Sequence, residues 1–98
     1  MMHVGMGVVR LRLPESSSLK DKRTLLRPLM DRVRRRFNVA VAEVDQLDDL
    51  RAAAIGLVCV SNDVRHANSV LSQAVTFIEN SGRDLELLDY QLEFITAF

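Results

Sequence analysis

Apolar and polar positions alternate along "HVGMGVVRLRLP", His3 to Pro14, with Val9, Leu11 and Leu13 on one side and Arg10 and Arg12 on the other. That period of two predicts a strand, and Pro14 stops it. The period then changes. Leu19, Leu26, Leu29, Met30, Val33 and Phe37 recur at helical spacing, so the segment after "ESSS" is predicted as a helix with one buried face. Ser18 is the expected N-cap, its hydroxyl accepting from an orphan amide of the first turn. Asp21, three residues on, takes the place of the usual Glu or Gln of a capping box. Pro28 removes one backbone hydrogen bond inside this helix and predicts a kink near Thr24.

"FNVAVAEV" is a short β-branched run, followed by the polar loop "DQLDDL". "AAAIGLVCV" reads as a strand that is apolar on both faces. "SND" starts a second helix, with Asn62 or Asp63 as its cap and Val64, Ala67, Leu71, Ala74, Val75 and Ile78 toward the core; "NSGRD" ends it. "LELLDYQLEFI" closes the pattern as a strand, with Leu88, Tyr90, Leu92 and Phe94 on one side and Leu87, Asp89, Gln91 and Glu93 on the other. The order is β-α-β-β-α-β. Right-handed crossovers between parallel strands leave room for another strand between them. The expected fold is therefore α+β and ferredoxin-like, a four-stranded antiparallel sheet with two helices on one face.

Ninety-eight residues fit one domain, taken as 1–98, able to bury about 60–65% of its unfolded surface. Hydrophobic residues make up 48% of the chain, with four Phe, one Tyr and no Trp, so the core is expected to be mainly aliphatic. No apolar run approaches the roughly 18 residues of a membrane span. "MMHVGMGVVR" lacks the basic region of a signal peptide. The single cysteine, Cys59, lies in an apolar run and cannot close an intrachain disulfide, which fits a buried thiol in a reducing, cytoplasmic setting.

Charge changes this picture. The formal net charge is zero, yet Arg10 to Arg36 holds ten basic residues against three acids, and the remainder holds three against ten. Wound at 100° per residue, the first helix sets Lys20, Arg23, Arg27 and Arg34 on one flank of its apolar stripe. Arg32 and Arg36 fall on the other flank, and Arg35 points straight out. Lys22 falls near the stripe's edge, from where its ammonium is expected to snorkel outward. Cations spaced along a helix suit a phosphate backbone, and guanidinium adds planar, bidentate recognition. The helix dipole favours cations in the last turn by about 0.3–1 kcal/mol each. That leaves Lys20, Lys22 and Arg23, at the opposite end, unexplained.

Arg10 and Arg12 are expected to pair across strands with acids of the last strand, Asp89 first and Glu93 further along. The outward sheet face carries Met6 and Val8 but no aromatic on the first or third strand, so base stacking there is not expected. An apolar face of this kind predicts a partner or a second copy, most simply a two-fold dimer with Met6 and Val8 in its interface. Catalysis lacks parts. His3 and His66 are far apart in sequence, Asp63 and His66 alone do not make a metal site, and Gly5 and Gly7 precede no helix start, which points to close strand packing. No enzyme activity, metal or cofactor is expected.

"VGxxxxRLRLPESSSLKDKR", "RRRFNVAVAEV" and "VSNDxxHAxxVL" resemble the YlxP-like family, a bacterial domain-of-unknown-function family, over essentially the whole chain. Its most specific piece is Ser18 to Arg23. The resemblance implies a ferredoxin-like fold and a link to translation, because genes of this family often lie beside those for translation initiation and ribosome maturation factors. It implies no catalytic residue. Many members carry an aromatic in the loop where this chain has Leu50, and a proline is not expected where it has Pro28. The resulting expectation is a non-catalytic RNA- or ribosome-associated domain, with Lys20, Lys22, Arg23, Arg27, Arg34 and Arg35 on phosphates. The alternative is a homo-oligomeric protein-interaction or small-ligand module working through the apolar sheet face.

Overall fold

Alternation at the N-terminus builds a central strand, and the rest of the sheet assembles on both of its sides. A computed structural model describes residues 1–98. The elements are β1 (Met2–Arg12), α1 (Leu19–Phe37), β2 (Ala40–Asp45), β3 (Ala52–Ser61), α2 (Val64–Glu79) and β4 (Glu86–Ala97). The strands lie in the order β2-β3-β1-β4 and all three pairings are antiparallel. This is the expected ferredoxin-like arrangement.

One face of the sheet carries the core. Val9 and Leu11 of β1 and Ala53, Ile55, Leu57 and Cys59 of β3 join Leu26, Leu29 and Val33 of α1 and Ala67, Leu71, Ala74, Val75 and Ile78 of α2 in one buried cluster. Each is less than a tenth exposed. Burying a side chain of Val, Leu or Ile size contributes about 1.5–3 kcal/mol, which makes this cluster the main stabilising term. Gly5 and Gly7 are closely approached: a Cβ on Gly5 would meet Leu71 Cδ1 at 2.8 Å, and one on Gly7 would meet Leu92 Cδ2 at 2.8 Å, so either leucine would have to shift. The glycines of β1 thus make room for α2 and β4.

α1 runs from Leu19 to Phe37 as one helix, with Pro28 inside it. Thr24 and Pro28 are both exposed, so the carbonyl deprived of its donor lies on the wet side, where water can satisfy it. Two expectations need correction. Val64 is 42% exposed rather than part of the core stripe, because it opens α2 before the helix reaches the sheet. In β4 a register shift places Leu87 opposite Leu11 and Asp89 opposite Arg10. Leu88 is the extra residue and is 57% exposed, while Leu87 packs on the core. The bulge exchanges the sides expected for these two leucines.

Candidate nucleic-acid interface

α1 starts where its sequence puts a cap. Ser18 is extended, and its Oγ accepts from the Asp21 amide at 3.0 Å. Asp21 reaches back one residue further than a standard capping box, accepting from Ser17 Oγ at 2.8 Å and from the Ser17 amide at 3.0 Å. These hydrogen bonds from Ser17 hold the Asp21 carboxyl below its ordinary value. At the other end Asn38 takes a left-handed conformation (φ 51°) and ends the helix.

Lys22 does not snorkel. It is only 2% exposed and points inward, beneath the β2–β3 loop. Its Nζ donates to the carbonyls of Gln46 and Asp49, each at 2.8 Å, and lies 2.8 Å from Glu43 Oε2. The Glu43 approach is too oblique for a hydrogen bond and acts as a charge contact. The reason is a need on the loop's side: its polar backbone passes over α1, and carbonyls turned inward must find a donor. Lys22 supplies three, and the neighbouring carboxylate balances its charge. Lys22 therefore leaves the set of residues available to a phosphate backbone.

The other seven cations of α1 stay at the surface. Arg34 is tied locally, donating to Asp31 Oδ1 at 2.7 Å and to the Val41 carbonyl of β2 at 2.9 Å. Lys20, Arg23, Arg27, Arg32, Arg35 and Arg36 have no carboxylate within salt-bridge distance. Apart from Lys20, they form two groups. Arg23 and Arg27 line a cleft toward the β2–β3 loop, shared with Glu43 and Asp48. Glu43 is balanced by Lys22, so Asp48 is the acid that weakens the field of that group.

The second group sits at the C-terminal end of α1. The Arg36 guanidinium lies 5.2 Å from the centre of the Phe77 ring and 5.7 Å from that of Phe37, and Arg32 lies 6.0 Å from Phe77. The two rings meet edge to face with centroids 5.6 Å apart. Stacking on an aromatic face orients a guanidinium without consuming its N–H donors. These residues border an open groove of about 600 Å³ between the helices, whose α2 side offers Ser72, Gln73, Thr76 and Asn80. Arg35 borders the same cluster. Sequence reasoning passed over Arg32 and Arg36 because their aromatic partner, Phe77, lies on another helix. The available signal was that both fall on the flank of α1 opposite Arg23.

Elsewhere one of the expected pairs forms: Arg10 meets Asp89 at 3.1 Å. Arg12 meets Glu86 at 3.6 Å instead of Glu93, which the register sets opposite Met6. Met6 and Val8 are half-buried on the face away from the helices, beside Val58 and Val60, which are 43% and 65% exposed. His3 Nδ1 and Thr96 Oγ1 are hydrogen-bonded at 2.8 Å, and His66 is exposed on α2. No three His, Cys, Asp or Glu side chains are grouped to hold a metal ion. Burial pushes the Cys59 thiol up. No helix is long and apolar enough to cross a membrane.

Comparison with known proteins agrees with this architecture. A de novo designed protein, Foldit4, superposes with a TM-score of 0.56 at 12% identity, covering 98% of this chain and 99% of its own, which shows the fold alone. The uncharacterized protein YlxP of Bacillus subtilis (strain 168) is 29% identical over 66 residues, spanning 67% of this chain and 72% of the relative. The model of the family described as "Protein of unknown function (DUF503)" matches residues 4–92, and with the relative named YlxP this places the chain in that YlxP-like family.

Proposed function

We propose that this protein is a non-catalytic, translation-associated RNA-binding domain whose α1 lies along RNA phosphates. One observation carries the reading: α1 presents six surface cations, Lys20, Arg23, Arg27, Arg32, Arg35 and Arg36, with no carboxylate partner. Unlike Lys22 and Arg34, none of the six is tied to an acid, although Arg32 and Arg36 stack on Phe77 and Arg35 Nε donates to the Asp31 carbonyl at 3.4 Å. Contacts of this type position a protein on RNA without reading its sequence. Arg34 can add a contact only by sharing its guanidinium with Asp31.

The test is binding to ribosomal RNA fragments by fluorescence anisotropy at several salt concentrations. Three to five phosphate contacts give a log–log slope of about −2 to −5. Charge reversal at Arg23 and Arg27, or at Arg32 and Arg36, should flatten the slope, and the pair with the greater effect marks the centre of the contact. No binding at low salt would remove the reading for these RNAs.

A second reading rests on the open sheet face, where Val58, Val60 and Ile95 are 43%, 65% and 49% exposed around half-buried Met6 and Val8. There the domain would bind a protein, a small ligand or a second copy. Met6→Lys or Val8→Lys should abolish that association and leave RNA binding by α1 unchanged.

A further inference from the structure

The two edges of the sheet are finished differently. β2 has six residues, its register shifts between Glu43 and Asp45, and the Val41 carbonyl already accepts from Arg34. Short length, a bulge and an occupied backbone group all discourage a further strand. β4 has twelve residues and pairs only with β1. It carries no proline, lysine or arginine. Its helix-side face is also incompletely covered: Tyr90 and Phe94, opposite Val9 and Gly5, remain 50% and 37% exposed. A long unpaired edge with exposed aromatics is a template for another strand.

We propose that β4 pairs with β4 of a second copy, antiparallel about a two-fold axis at Leu92, joining two four-stranded sheets into one continuous sheet. The register follows from faces and charges. A two-fold axis perpendicular to the sheet keeps the helices of both copies on one side, so directly opposed residues share a face. From Asp89 onward, faces alternate with residue number, so opposed residues are both odd or both even. The two registers of greatest overlap centre on Gln91 and on Leu92.

Centring on Gln91 sets Asp89 against the second copy's Glu93 twice across the seam, and opposed like charges are destabilising. Centring on Leu92 sets Tyr90 against the second copy's Phe94 on the helix side, twice, with the two Leu92 side chains between. On the open side Gln91 meets Glu93 and Asp89 meets Ile95, with no acid facing an acid. Cross-strand aromatic pairs are among the stabilising ones, and here they close over the uncovered strip beside α2. This self-fit selects a second copy as the occupant. The interface is separate from α1, so the inference is independent of the RNA reading.

Sedimentation velocity of the full chain over a range of concentrations tests it. A reversible dimer is expected, and Tyr90→Glu should make it monomeric with an unchanged circular dichroism spectrum. A second variant does not depend on that substitution folding well. Gln91→Cys combined with Glu93→Cys places thiols directly opposite one another across the Leu92-centred seam, at a Cα separation suited to a disulfide. Mild oxidation should give a covalent dimer that reducing agent dissolves. The pair Asp89→Cys with Glu93→Cys should give much less, since the two face each other only in the Gln91-centred register. A wild-type monomer at high-micromolar concentration overturns the proposal and leaves the edge to an extended peptide. A dimer that survives Tyr90→Glu but dissociates on Met6→Lys also overturns it, moving the interface to the open face.

Discussion

Lys22 and Arg23 are neighbours in sequence and have opposite fates. Lys22 is buried and fastens the β2–β3 loop through two carbonyls and a carboxylate, while Arg23 is exposed with no acidic partner. The contrast extends along α1. Its N-terminal half spends one cation on architecture and faces an acidic loop. Its C-terminal half sets Arg32 and Arg36 on Phe77, at the rim of an open groove. A run of positive charge is thus several structures in one, and which cation is free depends on what lies across from it.

Removing the buried cation is the hardest test of this contrast. Lys22→Ala leaves Glu43 without its counter-charge and two loop carbonyls without their donor. Breaking a buried pair from one side costs about 3–5 kcal/mol, lowered here to about 2–4 because the Glu43 side chain is 23% exposed. Arg23→Ala should stay within about 0.5 kcal/mol. Urea unfolding of the two variants compares them directly, and equal losses would erase the distinction.

Binding sharpens the comparison between the two halves. Arg32→Glu with Arg36→Glu should reduce the steepness of the salt dependence by about 1.4–1.8, since each lost phosphate contact accounts for about 0.7–0.9. Arg23→Glu with Arg27→Glu should reduce it less, because Asp48 already offsets that flank. An equal or reversed order would place the centre of the contact at the N-terminal half.

The start of α1 gives smaller effects. Ser18→Ala removes the acceptor for the Asp21 amide and should lower stability by about 1 kcal/mol in thermal or chemical unfolding. Asp21→Asn gives the smallest effect and the clearest pH signature. The folded carboxyl lies below its ordinary value of 3.8, so its stabilisation is complete above that value and is lost as pH falls through the lowered one. At pH 7 the variant should melt below the wild type. Melting curves taken at successively lower pH should converge below 3.8. A gap that persists in acid would mean that the Ser17 hydrogen bonds do not depend on charge.

Much of the fold could be read from periodicity. Alternation located β1, the helical stripes located α1 and α2, and Ser18 and Asp63 cap the helices as their positions suggested. The misreadings sit where one element answers to another. Leu87 and Leu88 exchanged sides because a bulge is set by the register with β1, which a single strand's pattern does not contain. Leu50, in place of an aromatic, is 37% exposed in the β2–β3 loop. The candidate site was legible as a concentration of charge on one helix, but not as a division between paired and unpaired cations.

The sequence by itself determined the order of elements, the buried faces of β1 and of both helices, and the asymmetry of charge, because these depend on spacing along the chain and on side-chain chemistry. Only the tertiary structure decided that Lys22 is a fastener, that Arg32 and Arg36 share Phe77, and that β4 has a bare edge where β2 does not. Those outcomes depend on atoms brought together from distant parts of the chain. An ammonium goes inward when unpaired carbonyls and a carboxylate await it there, and its own neighbours in sequence carry no record of them.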